Sequence, residues 1–149
     1  MREKKLISKK PYIYQTLLTV QIDDINYGGH VGNERYLLFA QETRMRFLKT
    51  IGHTEVKFGE YGIVVAEAGI EYFTELFHGE HITISISIDN ISRVAFDCFY
   101  KIEKKVDEKI IVAACIKTNM VCYDYKEKKV RSIPDDIRIK FNELIVGEK

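Results

Sequence analysis

The alternation of apolar and polar residues predicts that much of this chain forms strands. Isoleucines alternate with Ser and Thr from Ile82 to Ile88, and apolar residues alternate with mostly charged ones from Val94 to Glu103. A period of two is typical of a strand with one buried face. Segments 12–22, 63–73 and 110–123 are rich in β-branched and aromatic residues, which also favours strands. Because the breaks between the later strands are short, we expect antiparallel hairpins.

One segment, from Glu34 to Ile51, has a helical period instead. Asn33 is placed to cap its start, and Gly52 is placed to end it. Because additional apolar residues widen the main apolar stripe, we predict a central helix, covered on most sides, with an antiparallel sheet curled around it. A short second helix is expected to begin near Pro134. The main stripe consists of Tyr36, Ala40, Thr43, Phe47 and Ile51.

Length and charge narrow the class of protein. The chain has 149 residues, with 23 basic against 22 acidic side chains, which suits one domain over residues 1–149. The near-neutral balance is unlike that of nucleic-acid-binding proteins. Residues 1–10 hold five basic residues and one acidic residue, and we expect a solvated, partly ordered tail there. No apolar run approaches the ~20 residues of a membrane span, so we expect a soluble, cytoplasmic protein without membrane partners.

The cysteines and histidines give no sign of a disulfide framework or a metal site. Cys98, Cys115 and Cys122 are an odd number and lie in apolar, strand-like runs. We therefore expect them to be small core residues in a reducing compartment. His53, His78 and His81 lack the spacing of metal ligands, so no metal is predicted.

A glycine-rich loop, residues 24–33, joins the first strand to the central helix. Gly28, Gly29 and Gly32 allow the backbone to approach a ligand closely. The helix start, at Asn33, offers free N–H groups and a partial positive charge. Such donors suit a developing oxyanion, where a well-placed donor contributes roughly 3–4 kcal/mol. We expect this loop to bind a ligand, although any turn before a helix can also use glycines.

The segment from Asp24 to Tyr36 resembles the signature of the hotdog-fold acyl-CoA thioesterases, which include the 4-hydroxybenzoyl-CoA thioesterase type and the plant acyl-carrier-protein thioesterases. Residues 70–75, followed by Gly79 and Glu80, are similar to the second strand of that family and its turn. The resemblance covers most of the chain. It implies an α+β hotdog fold, an antiparallel sheet wrapped around a long central helix.

The resemblance also implies an activity and an assembly. It implies hydrolysis of an acyl-CoA or acyl-carrier-protein thioester at a site between the subunits of a homodimer or homotetramer. No separate cofactor is implied, because coenzyme A is part of the substrate.

The same resemblance places the principal catalytic candidates. Where the family has a catalytic Asp, this chain has Asn26, and an amide cannot act as nucleophile or general base. His30 occupies the His position of the plant-type motif, and with Asn26 it is expected to position water. Glu75 matches the catalytic glutamate of the plant-type enzymes and is the expected base. An ordinary surface glutamate at position 75 is the competing interpretation.

Other charged residues remain alternatives. Asp24 matches an acidic residue of many family loops and also suits a simple turn, whereas Glu34 can act on the substrate or only complement the helix dipole. Glu42 matches a glutamate common in the superfamily and is expected among apolar neighbours. Ser92 and Arg93 could contact the phosphates of coenzyme A, although a surface arginine is the simpler interpretation.

Two other functions stay open at this point. Asn26 in place of the family Asp favours a protein that binds acyl thioesters without hydrolysing them. A hotdog enoyl-CoA hydratase is the weaker alternative. That family pairs an Asp with a His across a loop containing proline, whereas Asp24 and His30 lack the proline and lie one residue farther apart.

Overall fold

A computed structural model describes residues 3–147 of the chain. This part of the chain forms a six-stranded antiparallel sheet and two α helices, and a 3₁₀ turn at Ile22–Asp24 follows the first strand. The elements are β1 (Tyr14–Thr19), α1 (Arg35–Thr50), β2 (Gly62–Tyr72), β3 (His81–Asp89), β4 (Ala95–Val106), β5 (Lys109–Asp124), β6 (Lys129–Val130) and α2 (Asp135–Val146).

The central helix lies on the inner face of the sheet, as predicted. The four alternating isoleucines of β3 are at most 1% exposed and face α1, so the period of two identified the buried face correctly. On the helix, the predicted stripe is buried at Tyr36, Ala40, Thr43 and Phe47. The α+β hotdog architecture expected from the resemblance is confirmed. The three cysteines are free and buried, also as predicted.

The strand order differs from the predicted run of hairpins. The sheet order is β1-β3-β4-β5-β2, with β6 paired to β5, so β3–β4 and β4–β5 are hairpins as expected. The prediction of a hairpin between β2 and β3 is wrong, because β2 pairs with β5 and β3 pairs with β1. The connection between them, residues 73–80, contains the fully buried Leu76. It therefore crosses the end of the core, and β2 becomes an edge strand.

The ends and the surface of α1 require three corrections. The helix begins at Arg35 with Glu34 at the capping position and no side-chain cap, so the predicted Asn33 cap is wrong. Gly52 follows the helix end with a positive φ of 83°, as predicted. Within one protomer the helix is not covered on most sides. Leu38 and Met45 are about half exposed, and Glu42 is an exposed partner of Arg46.

Strand alternation does not decide which way Glu75 faces. β2 ends at Tyr72, so Glu75 lies in the following connection and not in the strand. The register of β2 also shifts between Val65 and Glu67, because a bulge inserts an extra residue and exchanges the two faces. Val65 and Ala68 thereby lie on the same face.

Residues at the two termini complete the description. Within the predicted tail, the backbone N–H groups of Lys5 and Leu6 donate to the carboxylate of Glu71. Met1 and Arg2, part of that predicted tail, lie outside the described residues. Helix α2 begins at Asp135, next to Pro134 as predicted, and covers the other end of the core with Ile137 and Phe141 buried. No helix within residues 3–147 is both long and apolar enough to cross a bilayer.

Candidate active site

A cleft of about 350 Å³ opens at the start of α1. One wall comes from the loop that precedes the helix, and the other comes from the end of β2 and the connection after it. The backbone N–H of Val31 donates to the carbonyl of Leu76 at 2.8 Å and joins these two segments. The lining residues are His30, Val31, Asn33, Tyr36, Tyr72, Phe73, Thr74 and Glu75.

The glycine-rich loop folds into a tight turn that brings Asn26 and His30 together. The N–H of Asn26 donates to the carbonyl of His30 at 2.9 Å, and the Asn26 Oδ1 accepts from the N–H of Gly28 at 2.9 Å. A Cβ at Gly28 would lie 3.3 Å from Asn26 Oδ1 and 3.2 Å from His30 Nε2. Both side chains therefore lie beside Gly28, but only His30 is among the residues that line the cleft, and Asn26 is not. Gly29 has a φ of 84°, which favours glycine.

The start of α1 offers hydrogen-bond donors to the cleft. The N–H groups of Asn33 and Glu34 have no acceptor among residues 3–147, and Asn33 lines the cleft. Unsatisfied N–H groups and the helix dipole favour negative charge at this point. The carboxylate of Glu34 folds over Gly32, where a Cβ would lie only 2.6 Å from Glu34 Oε1. Because Glu34 is exposed, its carboxylate could move aside for a larger residue at position 32, so this contact alone does not require glycine there.

A buried lysine holds the opposite wall of the cleft. The Nζ of Lys104 donates to the backbone carbonyl of Glu75 at 2.7 Å and forms an ion pair with Glu80 at 3.0 Å. Glu80 in turn accepts from the N–H of Phe77 at 2.7 Å. The side chain of Glu75 itself is exposed. Sequence reasoning placed Lys104 in a polar break and missed it. Lys104 follows Ile102 by two residues in β4, so the alternation of the strand places it on the buried face, and this was the one sequence signal for it.

Two tyrosines form the apolar side of the cleft. Tyr36 and Tyr72 contact each other edge to face, with ring centroids 4.9 Å apart, and the hydroxyl of Tyr72 donates to the carbonyl of Asn33 at 3.2 Å. Burial, with Tyr72, Glu75 and nearby Glu80, raises the pKa of Tyr36 to about 12. Burial and the charge of Glu34 also raise the pKa of Tyr72. Both hydroxyls therefore stay protonated at neutral pH.

Asp24 lies behind the loop and does not line the cleft. Its Oδ2 accepts from the N–H of Gln21 at 2.8 Å, and its Oδ1 accepts from Nε of Arg35 at 3.2 Å. With both oxygens bonded and the side chain almost fully buried, Asp24 stabilises the turn. This placement favours the turn interpretation over catalysis.

Ser92 and Arg93 are not brought to this cleft within one chain. They lie in the β3–β4 hairpin, where Arg93 Nη1 donates to Ser132 Oγ at 2.8 Å, whereas Lys104 and the cleft lie at the other end of those strands. Their proposed contact with phosphates stays a prediction. Within residues 3–147, no cluster of His, Cys, Asp and Glu could hold a metal ion.

Comparison with known proteins gives a consistent family. The model of the thioesterase-like superfamily matches residues 20–141. An Aquifex aeolicus protein named "Putative esterase" is 29% identical over 129 residues, which are 85% of this chain and 94% of that protein.

Solved structures are similar in fold. A 1,4-dihydroxy-2-naphthoyl-CoA thioesterase from Synechocystis has a TM-score of 0.77 at 19% identity, covering 88% of this chain and 96% of its own. A thioesterase superfamily protein from Jannaschia has a TM-score of 0.79 at 19% identity, covering 91% of this chain and 85% of its own. With the family model matching most of its length, this chain belongs to the thioesterase-like superfamily.

Proposed function

We propose that this protein hydrolyses acyl thioesters in the cleft at the start of α1. One observation carries the proposal. Folding brings Glu75 to the lining of the same cleft as His30 and Asn33, whose N–H has no acceptor within residues 3–147, although Glu75 lies 42 residues after Asn33 in the sequence. Thioester hydrolysis needs a proton acceptor for water and donors for the carbonyl oxygen, and this set contains both.

The reaction follows from the roles of these groups. The amide of Asn26 and the ring of His30 position a water molecule, and the carboxylate of Glu75 accepts its proton as the oxygen adds to the carbonyl carbon. The N–H groups of Asn33 and Glu34 stabilise the resulting oxyanion. When the tetrahedral intermediate collapses, the carbon–sulfur bond breaks and the thiolate takes the proton back from Glu75. The products are a carboxylic acid and a thiol.

The substrate is an acyl thioester of coenzyme A or of an acyl-carrier protein, in the cytoplasm. A second cavity of about 490 Å³ lies along the same seam between α1 and β2, with Leu37, Val65 and Met120 among its lining residues. Its lining is mostly apolar, which suits the acyl group, although the stabilising Arg44–Glu55 pair also forms part of the wall. Coenzyme A is part of the substrate, and the proposal requires no separate cofactor.

We expect two protomers to pair along the free edge of β2. This strand is 11 residues long, and its segment 65–68 is exposed, as are Leu38 and Met45 on the adjacent helix. Long unpaired edges associate readily. Pairing there would place a partner subunit beside the cleft. Sedimentation that finds only monomer at micromolar concentration would remove this part of the proposal.

A non-catalytic acyl-thioester-binding protein is the second candidate, and Asn26 favours it. Incubating the purified protein with a panel of acyl-CoAs and a thiol reagent separates the two functions. Release of thiol that is lost in Glu75→Gln supports hydrolysis. Binding of acyl-CoA without release supports the binding protein.

A further inference from the structure

Residues 3–10, which we call the N-terminal strap, lie across the outer face of the sheet. Near the end of the strap, Ser8 Oγ is 2.7 Å from Ser87 Oγ in β3. Near its start, the carboxylate of Glu71 in β2 accepts from the N–H of Lys5 at 3.0 Å and from that of Leu6 at 2.7 Å. Since β5 and β4 lie between these two strands, the strap spans about 14 Å of sheet.

The start of the strap lies beside the cleft. The Nζ of Lys4 is 5.2 Å from the centroid of the Phe73 ring, and Phe73 lines the cleft. Lys5 is held at the same point through the bond from its N–H to Glu71, two residues before Phe73. Lys9 and Lys10 lie at the far end of the strap, because the carbonyl of Lys10 accepts from Ser87 Oγ.

The ammonium groups of the strap are not neutralised by neighbouring carboxylates. Within the described part of the chain, Lys4 and Lys5 form no ion pair. Glu71, the nearest bonded carboxylate, accepts from backbone N–H groups instead. Lys5 is exposed, and Lys4 is half-buried with its Nζ over the Phe73 ring, so their positive charge lies beside the cleft without a bonded carboxylate.

The charge of the strap is opposite in sign to the charge of the rest of the chain. Residues 1–10 contain five basic residues and one acidic residue, so the remaining 139 residues hold 18 basic against 21 acidic side chains. The body of the protein thus has net negative charge and repels an anionic ligand at long range. The strap supplies the opposite sign where such a ligand would enter.

We propose that Lys4 and Lys5 bind the phosphate groups of the acyl carrier as the thioester enters the cleft. The inference rests on the proposed function and identifies a binding site outside the catalytic cleft. Lysine is an effective point charge for phosphate, with three donors on a flexible stem. The shared chemistry is a phosphate joined to a pantetheine arm, as found in both coenzyme A and a phosphopantetheinylated carrier protein.

The test compares the double variant Lys4→Gln/Lys5→Gln with a matched control, Lys9→Gln/Lys10→Gln, which removes the same charge from the same strap. Each protein is assayed with an acyl-CoA and with the same acyl group on pantetheine, which has no phosphate. We expect the first variant to raise KM for acyl-CoA about tenfold at low salt, with kcat unchanged. KM for acyl-pantetheine should stay unchanged, and the control should change neither value more than about twofold.

Two inhibitors distinguish the sources of the phosphate. Inhibition of the wild type, but not of Lys4→Gln/Lys5→Gln, by adenosine 3′,5′-diphosphate assigns the site to the coenzyme A nucleotide. The same pattern with 4′-phosphopantetheine assigns it to the phosphate that a carrier protein shares. Three results would overturn the proposal. In the first, Lys4→Gln/Lys5→Gln changes KM equally for acyl-CoA and acyl-pantetheine. In the second, the two double variants change KM for acyl-CoA equally, and in the third, neither variant changes it.

Direct binding separates this inference from the hydrolytic one. Titration calorimetry with free coenzyme A requires no turnover. Binding that weakens about tenfold in Lys4→Gln/Lys5→Gln, and weakens in the wild type as salt is raised, supports the site even if no thioester is hydrolysed. Equal affinity of the wild type and this variant for coenzyme A contradicts it.

Discussion

Two polar clusters lie along α1, one at its start and one at its middle, and they differ in how completely their groups are bonded. In the middle cluster, Arg44 Nη1 donates to the hydroxyl of Tyr100 at 2.8 Å, and that hydroxyl lies 2.8 Å from Thr118 Oγ1. Arg44 Nε also bonds Glu55, which accepts from Gln41 at 3.2 Å as well. At the start of the helix, by contrast, N–H groups lack acceptors within residues 3–147 and carboxylates are exposed.

The difference separates stabilising groups from reactive ones. Burial raises the pKa of Tyr100 and raises that of Cys98 to about 12, so both stay neutral. Although burial alone would lower the pKa of Arg44, Tyr100, Cys98 and Glu55 raise it overall. In the middle cluster Arg44 therefore stays cationic while Tyr100 and Cys98 stay neutral, and no buried side-chain N or O atom within residues 3–147 lacks a partner. The cleft, in contrast, keeps bonding capacity for a substrate.

The largest expected effect is on catalysis at the cleft. Glu75→Gln keeps the size of the side chain and removes its capacity to accept a proton, so kcat should fall by about 10²–10⁴-fold. The free energy of unfolding should not change, because the Glu75 side chain is exposed. Glu34→Gln is the matched control and should change kcat little if Glu34 only complements the helix dipole. Loss of activity in Glu34→Gln alone would move the base to the helix start.

The middle cluster should show the opposite pattern. Arg44→Met leaves Glu55 and the hydroxyl of Tyr100 without their partner. Chemical denaturation should therefore show that the free energy of unfolding falls by about 3 kcal/mol. This value is at the lower end for a broken buried pair, because Glu55 retains contact with water. Lys105→Met, which breaks the exposed surface pair with Glu108, is the control and should cost about 0.5 kcal/mol or less. Equal losses in the two variants would contradict the distinction.

Asn26, in the loop beside the cleft, tests whether a residue outside the cleft lining takes part in the reaction. Asn26→Ala removes the amide that flanks Gly28 and should lower kcat by about 10–10²-fold, as for the loss of one positioned polar group. Asn26→Asp should preserve or raise kcat, because it supplies a carboxylate next to His30. Wild-type kcat in both variants would show that this position does not take part in the reaction.

The smallest effect is expected for Lys104, which holds the Glu75 backbone. Lys104→Met should lower kcat several-fold with little change in KM, because the wall carrying Glu75 loses its anchor. Lys104→Arg keeps the positive charge and should restore most of kcat. If Lys104→Met lowers only thermal stability and leaves kcat unchanged, Lys104 has a purely structural role. The same holds if Lys104→Arg does not restore kcat.

Local patterns explain why the fold was predictable and parts of the site were not. The alternation from Ile82 to Ile88 and the stripe of α1 depend on neighbours in the sequence, so the period alone identifies their buried faces. Whether β2 pairs with β3 or β5 depends on contacts between distant segments, such as Val31 with Leu76. The alternation of β4 can indicate that Lys104 is buried, but its bond to the Glu75 carbonyl depends on the crossing connection, which no local pattern predicts.

The central claim is tested most directly by measuring thiol release from acyl-CoAs by the wild type and Glu75→Gln side by side, with thermal unfolding followed on the same preparations. The account predicts release by the wild type, release at least about 10²-fold slower by Glu75→Gln, and coincident unfolding curves. Equal rates of release by the two proteins, or no release by the wild type from any thioester in the panel, would contradict it.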